Sequence, residues 1–300
     1  MARKTLDAAR GKWRGILLTL GIDEKYLHNR HGPCPLCGGT DRYRWDNSNG
    51  AGSYVCGQCG AGTGMQLLQK LKDWDFATAA REVDKVLGNV SADPPGRPAM
   101  TPQKRRELLN ALWRGARPLK ADDAFLGYLA GRVGHIDADL SDLRGHPNAK
   151  LPPSLGEGYA PALLSLVRDA AGNPVSIHRT FLDGEGRKIG RAMCAGELPE
   201  SIAIRLGAPV DGVLGVAEGL ETALAVREQF GVPCWSMVTA GFLAKWQPPK
   251  GVTRVLIFGD ADHNYTGQAA AFHLAKRMVH KGLSVAVSIP PELGVDYADV

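Results

Sequence analysis

The sequence predicts a multidomain α/β protein in which a small cysteine-rich module precedes a mixed α+β region and a parallel sheet covered by helices. Three observations predict this class. Four of the six cysteines form two C-x-x-C pairs near the N-terminus. Prolines and glycines interrupt the chain after residue 90. From residue 213 onward, apolar strand-like runs alternate with helical patterns, which is typical of a parallel sheet.

The proline- and glycine-rich stretch predicts a linker over residues 91–101, because it can hold neither a helix nor a sheet ladder. We therefore expect a first domain over residues 1–90 and a second over residues 102–300. The alternating strands and helices predict a subdomain over about residues 211–300. A chain of 300 residues is long enough for such a division, at roughly 150 residues a domain.

Composition indicates a globular protein, with 44% hydrophobic residues and a formal net charge of +5. So small a positive surplus is weak evidence for a polyanionic partner, since local clusters of Lys and Arg set the field that phosphates feel. The apolar run after the basic N-terminus is too short for a signal peptide or a membrane span. We therefore expect a reducing cytoplasm, with Cys194 and Cys234 as core residues.

Apolar periodicity predicts individual elements in both regions. Expected helices in the first half cover residues 8–20, 65–72, 76–87 and 101–113. Antiparallel strands are expected over residues 163–167, 175–182 and 202–206. The parallel sheet is expected from strands 213–217, 234–238, 255–258 and 284–289, with helices 219–230 and 268–281.

The paired cysteines predict one structural zinc ion in a zinc ribbon. The candidate ligands are Cys34, Cys37, Cys56 and Cys59. Four thiolates complete the tetrahedral coordination of Zn²⁺ and leave no open position for catalysis. His31 is an alternative ligand, although it lies outside a set that is already complete.

An alternating segment between the two cysteine pairs is a candidate nucleic-acid surface. Arg42 and Arg44 share one face of the predicted strand, and Tyr43 and Trp45 share the other. Arginines suit phosphates, and exposed aromatic rings stack on unpaired bases. We identify Arg42, Arg44 and Trp45 as candidate contacts; the open alternative is that the two aromatic rings fill the core of the ribbon.

Carboxylates follow two strands of the predicted parallel sheet. Glu218 comes after the first strand, and Asp260 and Asp262 come after another. The carboxyl ends of parallel strands meet at one edge, so these side chains are expected to converge. Close carboxylates repel unless a cation neutralises them, and oxygen-only ligands suit Mg²⁺ or Mn²⁺. Such a site activates a 3′-hydroxyl and stabilises the phosphate that is transferred. The open alternative is that Asp260 and Asp262 only cap the N-terminus of the helix that follows them.

These residues resemble a known family. The Glu218-Gly219 and Asp260-Ala261-Asp262 motifs resemble the Toprim domain of bacterial-type primases, topoisomerases and some nucleases. The ribbon, with His-Gly-Pro-Cys-Pro-x-Cys-Gly-Gly before Asp-Arg-aromatic-Arg, resembles the zinc-binding domain of primases of phages and mobile elements. Both motifs in this order narrow the resemblance to DNA primases, over about residues 28–300.

The resemblance implies roles for further residues. Glu218 would act as general base or metal ligand, and Asp260 and Asp262 would hold the magnesium ions. Asp296 resembles a further acidic motif of the family, although Ala298 departs from it and the chain ends at Val300 as if truncated. Residues 176–181 and 203–206 resemble the basic strands that face the metal site in the family. Arg179, Lys188 and Arg205 are candidate contacts to nucleoside triphosphate or template; the open alternative is an ordinary surface or salt-bridge role.

The resemblance implies a nucleotidyltransferase that makes short RNA primers on single-stranded DNA from ribonucleoside triphosphates. No G-x-x-x-x-G-K-[ST] motif occurs in the sequence, so a helicase is expected as a separate partner or in sequence beyond these residues. Two alternatives stay open: a Toprim-type metal-dependent nuclease and a non-catalytic DNA-binding replication module.

Overall fold

The chain divides into two compact units, residues 1–101 and residues 102–300. The computed structural model describes residues 2–93, 100–136, 138–194 and 196–299. The proline-rich part of the predicted linker, residues 94–99, lies outside the described residues. None of the described helices has the length and apolar character needed to cross a membrane.

The first unit combines a small antiparallel sheet with helices. The strands, in sheet order, are β1 (Tyr43–Trp45), β2 (Tyr54–Cys56) and β3 (Gly60–Gly62). The helices are α1 (Ala2–Ala9), α2 (Trp13–Thr19), α3 (Gly64–Lys72) and α4 (Phe76–Val86). Helices α3 and α4 form where apolar periodicity predicts them. A capping box at Thr63 starts α3, and the Asp75 carboxylate, which accepts from the Thr78 N–H at 2.7 Å, starts α4.

The helix predicted over residues 8–20 is wrong in one respect, because the structure divides it. Gly11 has φ +73°, a left-handed conformation that ends α1, and its N–H donates to the Gly50 carbonyl at 2.8 Å. The turn brings Trp13 at the start of α2 against the ribbon. A Cβ added at Gly52 or Gly64 would lie within 3 Å of the Trp13 side chain. The ribbon and the helices therefore share one core, which includes Trp13, Tyr43 and Leu67.

The second unit begins with an antiparallel sheet. Within the described part of this unit, its order is β4-β5-β6-β7-β8, with β9 beside β6. These strands are β4 (Arg117–Pro118), β5 (Leu143–Lys150), β6 (Tyr159–Asp169), β7 (Pro174–Leu182), β8 (Lys188–Met193) and β9 (Ile202–Ala203). Helices α5 (Pro102–Arg114) and α6 (Ala124–Val133) precede the long strands.

A parallel sheet of order β11-β10-β12-β13 completes the unit. Its strands are β10 (Val213–Ala217), β11 (Cys234–Ser236), β12 (Arg254–Phe258) and β13 (Ser284–Ser288). Its helices are α7 (Leu220–Phe230), α8 (Ala240–Lys245) and α9 (Thr266–His280). Backbone hydrogen bonds between Ile204 and Ser236 join the two sheets of this unit. The predicted α/β class, with its ribbon, mixed region and parallel sheet, is confirmed.

The register of the parallel sheet aligns the residues that follow its two central strands. Ala217 at the end of β10 pairs with Phe258 at the end of β12. The next residues of both strands therefore leave the sheet at the same edge, where Glu218 precedes α7 and Asp260 follows Gly259.

Candidate functional site: a thiolate zinc centre and an acid-lined cavity

The four ribbon cysteines gather around one point. Their sulfur atoms all lie within 4.8 Å of one another, and the Cys34–Cys59 and Cys37–Cys56 Sγ pairs are each 3.8 Å apart. Zn–S bonds of about 2.3 Å in a tetrahedron place the sulfurs about 3.8 Å apart. The geometry therefore fits Zn²⁺ closely, and the cysteines form a zinc-binding site as predicted.

The surroundings of the sulfurs favour a bound cation. Burial is the main cause that raises the pKa of the Cys34 thiol to about 11, so a thiolate there needs a positive neighbour. The Leu36 N–H points to the Cys34 sulfur at 3.4 Å, as expected of a knuckle. His31 does not belong to the sulfur group: its ring is exposed and its Nδ1 contacts the Asp41 carbonyl at 3.0 Å.

The alternating segment of the ribbon has the expected faces, but its aromatic side points inward. Trp45 is 5% exposed and its indole N–H donates to the Gly52 carbonyl at 3.0 Å. Trp45 is thus a core residue, and identifying it as a base contact is not supported, because its ring has no free face. Arg42 is exposed and donates to Gln58 at 2.8 Å, and half-buried Arg44 lies 3.7 Å from Asp46.

A cavity of about 560 Å³ opens at the edge of the parallel sheet where the predicted acids lie. Glu218, Asp260 and Asp296 line it. Ser236 in β11 donates its hydroxyl to the Glu218 carbonyl at 3.0 Å. The Ala261 N–H donates to the Val295 carbonyl at 3.1 Å, which ties the turn after β12 to the segment before Asp296. The cavity has the volume of an ordinary small-molecule site.

Asp260 is the most perturbed acid of the cavity. Burial, followed by three neighbouring carboxylates, raises its pKa to about 8. Those carboxylates belong to Glu218, Asp296 and Asp262, in order of effect. Its Oδ1 atom is buried and has no hydrogen-bond partner among the described residues. A buried carboxylate oxygen without a hydrogen-bond partner is suited to bind a cation.

Asp262 and Asp296 make additional backbone contacts. One Asp262 oxygen accepts from the Gly267 N–H in the first turn of α9 at 2.7 Å, so Asp262 partly caps that helix. Asp262 acts electrostatically on Asp260, although it is not among the side chains that line the cavity. Burial is the main cause that raises the pKa of Asp296, and its Oδ1 accepts from the Ala298 N–H at 2.6 Å.

The carboxylates are spaced more widely than the thiolates. Across the described ranges, three or more potential ligand groups fall mutually within 4.8 Å only at the cysteines. Mg²⁺ tolerates this spacing, because it keeps several waters and is bound by one or two carboxylates together with substrate phosphates. The orphaned Asp260 oxygen and the oxygen-only donors fit Mg²⁺ or Mn²⁺.

Cations also line the cavity. They are Arg132 on α6, Arg187 just before β8, and Lys188 and Arg191 in β8. Sequence reasoning found only Lys188, because α6 and β8 were not predicted. The sequence signal that would have found Arg191 is the local cluster of three basic residues, Arg187, Lys188 and Arg191, directly after the glycine turn at Gly184 and Gly186.

The other two predicted basic residues lie away from this cavity. Arg179 donates to the Lys150 carbonyl at 3.0 Å, and its guanidinium lies 5.2 Å from the Phe181 ring centroid. Arg205 lies over the Trp235 ring at 4.6 Å and donates to the Asp169 carbonyl at 3.1 Å. Neither guanidinium lines the cavity.

A thiolate ribbon in one unit and an acid-lined parallel sheet in the other define a zinc-ribbon protein with a Toprim-like domain. Two family profiles agree with this class. Residues 29–65 match the zinc-binding domain of primase-helicase, and residues 213–300 match the Toprim domain. Residues 103–196 match a domain of unknown function. The resemblance of both ends of the chain to the domains of primases is confirmed, and the phage or mobile-element origin stays a prediction.

Solved structures of primases are similar to this chain at low identity. The zinc-binding and RNA polymerase domains of the Aquifex aeolicus primase are 16% identical, with a TM-score of 0.45 over 97% of this chain and 80% of that one. A DNA primase domain from Pseudomonas aeruginosa is 16% identical, with a TM-score of 0.42 over 65% and 73%. The primase fragment of the bacteriophage T7 primase-helicase is 15% identical, with a TM-score of 0.34 over 89% and 92%.

Proposed function

We propose that the chain is a DNA primase that synthesises short RNA primers on single-stranded DNA by divalent-metal-dependent nucleotidyl transfer. The observation that carries the proposal is the cavity at the edge of the parallel sheet. Glu218, Asp260 and Asp296 line it together with the cations Lys188 and Arg191. Such a pairing of charges suits a triphosphate that carries a divalent cation. The match of the ribbon to a zinc-binding domain of primase-helicase supports priming over the other activities of Toprim proteins.

The residues have distinct roles in the proposed reaction. The 3′-hydroxyl of one ribonucleotide attacks the α-phosphorus of the next; the bond from that phosphorus to the bridging oxygen breaks, and pyrophosphate leaves. Glu218 takes the proton of the attacking hydroxyl, while Lys188 and Arg191 neutralise the phosphate oxygens. The proposed ligands of Mg²⁺ or Mn²⁺ are Glu218, through the oxygen that does not take the proton, with Asp260, Asp262 and Asp296; the ion would supply Lewis-acid stabilisation when bound.

The ribbon is proposed to hold the template strand. Arg42 and Arg44 lie on its outer face, with Arg42 exposed, and their guanidinium groups suit the phosphates of single-stranded DNA. We propose Arg179 and Arg205 only as more distant template contacts, because hydrogen bonds to backbone carbonyls already engage both groups.

The proposed partners and setting follow from the same chemistry. Template opening requires a helicase; residues 1–300 carry no P-loop motif, so we propose that the helicase acts as a partner of this region. A thiolate zinc centre suits the reducing cytoplasm, where we propose the chain acts.

The test is a priming assay with zinc-loaded protein, single-stranded DNA, labelled ribonucleotides and Mg²⁺ or Mn²⁺. Wild type is expected to make short labelled RNA, and Asp260→Asn is expected to reduce the rate by about 100-fold or more. Asp122→Asn, at an exposed position outside the cavity, is the matched control and should act as wild type. Metal-dependent cutting of DNA without use of ribonucleotides would favour a nuclease. Activity in Asp260→Asn equal to wild type would overturn the proposal.

A further inference from the structure

Glu221 is a buried acid beside the proposed metal site that is already engaged by other residues. It lies in the first turn of α7, is 8% exposed, and lines the same cavity as Glu218. Its Oε1 accepts from the Lys188 ammonium at 2.7 Å and from the Tyr128 hydroxyl at 2.5 Å. Three elements, α6, β8 and α7, therefore meet at one carboxylate.

The negative charge of Glu221 is paired with the Lys188 ammonium. Burial alone would raise the pKa of Glu221, but the charge and hydrogen bond of Lys188, with the Tyr128 hydroxyl, hold it at about 2. Glu221 is thus ionised and paired, whereas Asp260 has a buried oxygen without a hydrogen-bond partner in the described structure. The two acids differ in whether they are available to a metal ion.

Lys188 would be a competitor of the metal ion if it were not held. Its ammonium ends a flexible four-carbon side chain, and it lines the cavity together with Glu218, Asp260 and Asp296. An ammonium without a partner is drawn to nearby carboxylates by Coulomb attraction. If the Lys188 ammonium paired with Asp260, it would donate to the unpartnered Asp260 Oδ1 and occupy the place of the metal ion.

We propose that Glu221 is a positioning residue that holds the Lys188 ammonium on the cavity wall and keeps it away from the metal-binding carboxylates. The side chain of Lys188 remains 33% exposed, and its ammonium has further N–H groups to offer a phosphate. Glu221 is not itself a ligand in this arrangement. The inference rests on the proposed function, because it takes Glu218, Asp260 and Asp296 as the acids that bind metal.

The test is a double-mutant cycle read by Mn²⁺ binding to the full zinc-loaded chain, with free Mn²⁺ measured by electron paramagnetic resonance. The variants are Glu221→Gln, Lys188→Met and the two combined. Asp260→Asn reports whether Mn²⁺ binds at the acidic site. Tyr128→Phe is the matched control, because it removes the other hydrogen bond to Glu221 and leaves Lys188 paired. Thermal unfolding without Mn²⁺ verifies that each variant folds.

In the wild-type background, Glu221→Gln is expected to weaken Mn²⁺ binding about tenfold, as loss of a charge-assisted bond would. In the Lys188→Met background the same change should alter affinity less than twofold, because no ammonium is left to compete. Tyr128→Phe should stay within about twofold of wild type. Only an effect exerted through Lys188 produces this difference between backgrounds, since a simple change of charge acts equally in both.

Equal weakening in both backgrounds would overturn the inference and indicate a charge or folding effect. Greater weakening in Lys188→Met would also overturn it, because Glu221 would then be a metal ligand. In either case, if wild type binds Mn²⁺ and Asp260→Asn does not, the proposed function still stands. Wild type that binds no more Mn²⁺ than Asp260→Asn would overturn both the inference and the proposed metal site.

Discussion

Burial shifts Asp260 and His178 toward their neutral forms, although the two pKa values move in opposite directions. Burial is the first cause in each case, and it raises the pKa of Asp260 to about 8 and lowers that of His178 to about 4. Asp260 faces a cavity lined with other acids, where a cation can restore its charge. His178 is 6% exposed on β7, and its Nδ1 has no hydrogen-bond partner among the described residues.

The buried neutral His178 predicts a loss of stability in mild acid. Unfolded chains take up a proton on histidine near pH 6.5, whereas folded His178 does so only near pH 4. The stability that depends on its neutral form is present above pH 6.5 and is lost as pH falls toward 4. Between pH 7 and 4.5, wild type should lose about 2–3 kcal/mol more than His178→Leu.

Urea unfolding of both proteins at the two pH values measures this difference. Neighbouring Arg191, Lys188 and Arg179 oppose protonation, and Glu221 favours it; all four are present in both proteins. Equal losses in wild type and His178→Leu would contradict a buried neutral histidine.

At the scale of elements, the first turn of α9 packs against the turn that carries Asp260. A Cβ added at Gly267 would lie 2.6 Å from the Asp260 carbonyl oxygen, and the Gly267 N–H donates to Asp262. The contact is with backbone, which cannot rotate away as a flexible side chain does. Gly267 therefore permits the approach of α9 that orders both aspartates.

Gly267→Ala is expected to displace Asp260 and weaken Mn²⁺ binding and primer synthesis about tenfold, with a loss of roughly 1–3 kcal/mol in stability. Gly184→Ala is the matched control, because nothing lies within 4 Å of a Cβ added there. Titration with Mn²⁺ and the priming assay measure the effect. Wild-type behaviour of Gly267→Ala in both assays would show that this close approach is unimportant.

The elements differ in how far sequence could predict them. Strands β10 and β12 were predicted because each is a continuous apolar run, buried on both faces of a parallel sheet. Strand β8 was not predicted: it pairs only with β7 among the described strands, and its exposed side chains give weak alternation. The acids of the site were therefore found from sequence, whereas Arg132 and Arg191, two of the cations that line the cavity, were not.

Individual side chains were harder to assign than strands. Alternation in β1 correctly predicted that Tyr43 and Trp45 share a face, but it could not say whether that face is buried. The partner that buries them is Trp13 and the helices, brought close by the turn at Gly11. Only the tertiary fold supplies that information.

At the scale of the whole molecule, each unit has its own core. One cluster of buried side chains, which includes Cys34 and Cys56, belongs to residues 1–101. The other clusters belong to residues 102–300. Because the ribbon shares its core with α2, α3 and α4, the zinc ion should stabilise the whole first unit and not the ribbon alone.

Cys56→Ser is therefore expected to remove the zinc ion and to expose backbone amides throughout the first unit, including α3. The second unit should keep its protection. Hydrogen exchange with mass spectrometry measures both, and metal analysis should show zinc falling from one ion per chain to none. Cys194→Ser, outside the thiolate group, is the control and should retain zinc. Protection of α3 that is unchanged in Cys56→Ser would contradict a shared core.

The central claim is that Glu218, Asp260 and Asp296 bind a divalent cation at the edge of the parallel sheet. Anomalous diffraction from crystals of the zinc-loaded chain soaked in Mn²⁺ tests it most directly. We expect a manganese peak about 2.2 Å from a carboxylate oxygen of Asp260, with Glu218 or Asp296 as a second ligand, and no such peak in Asp260→Asn. Manganese bound only elsewhere, or equally well in Asp260→Asn, would contradict the claim.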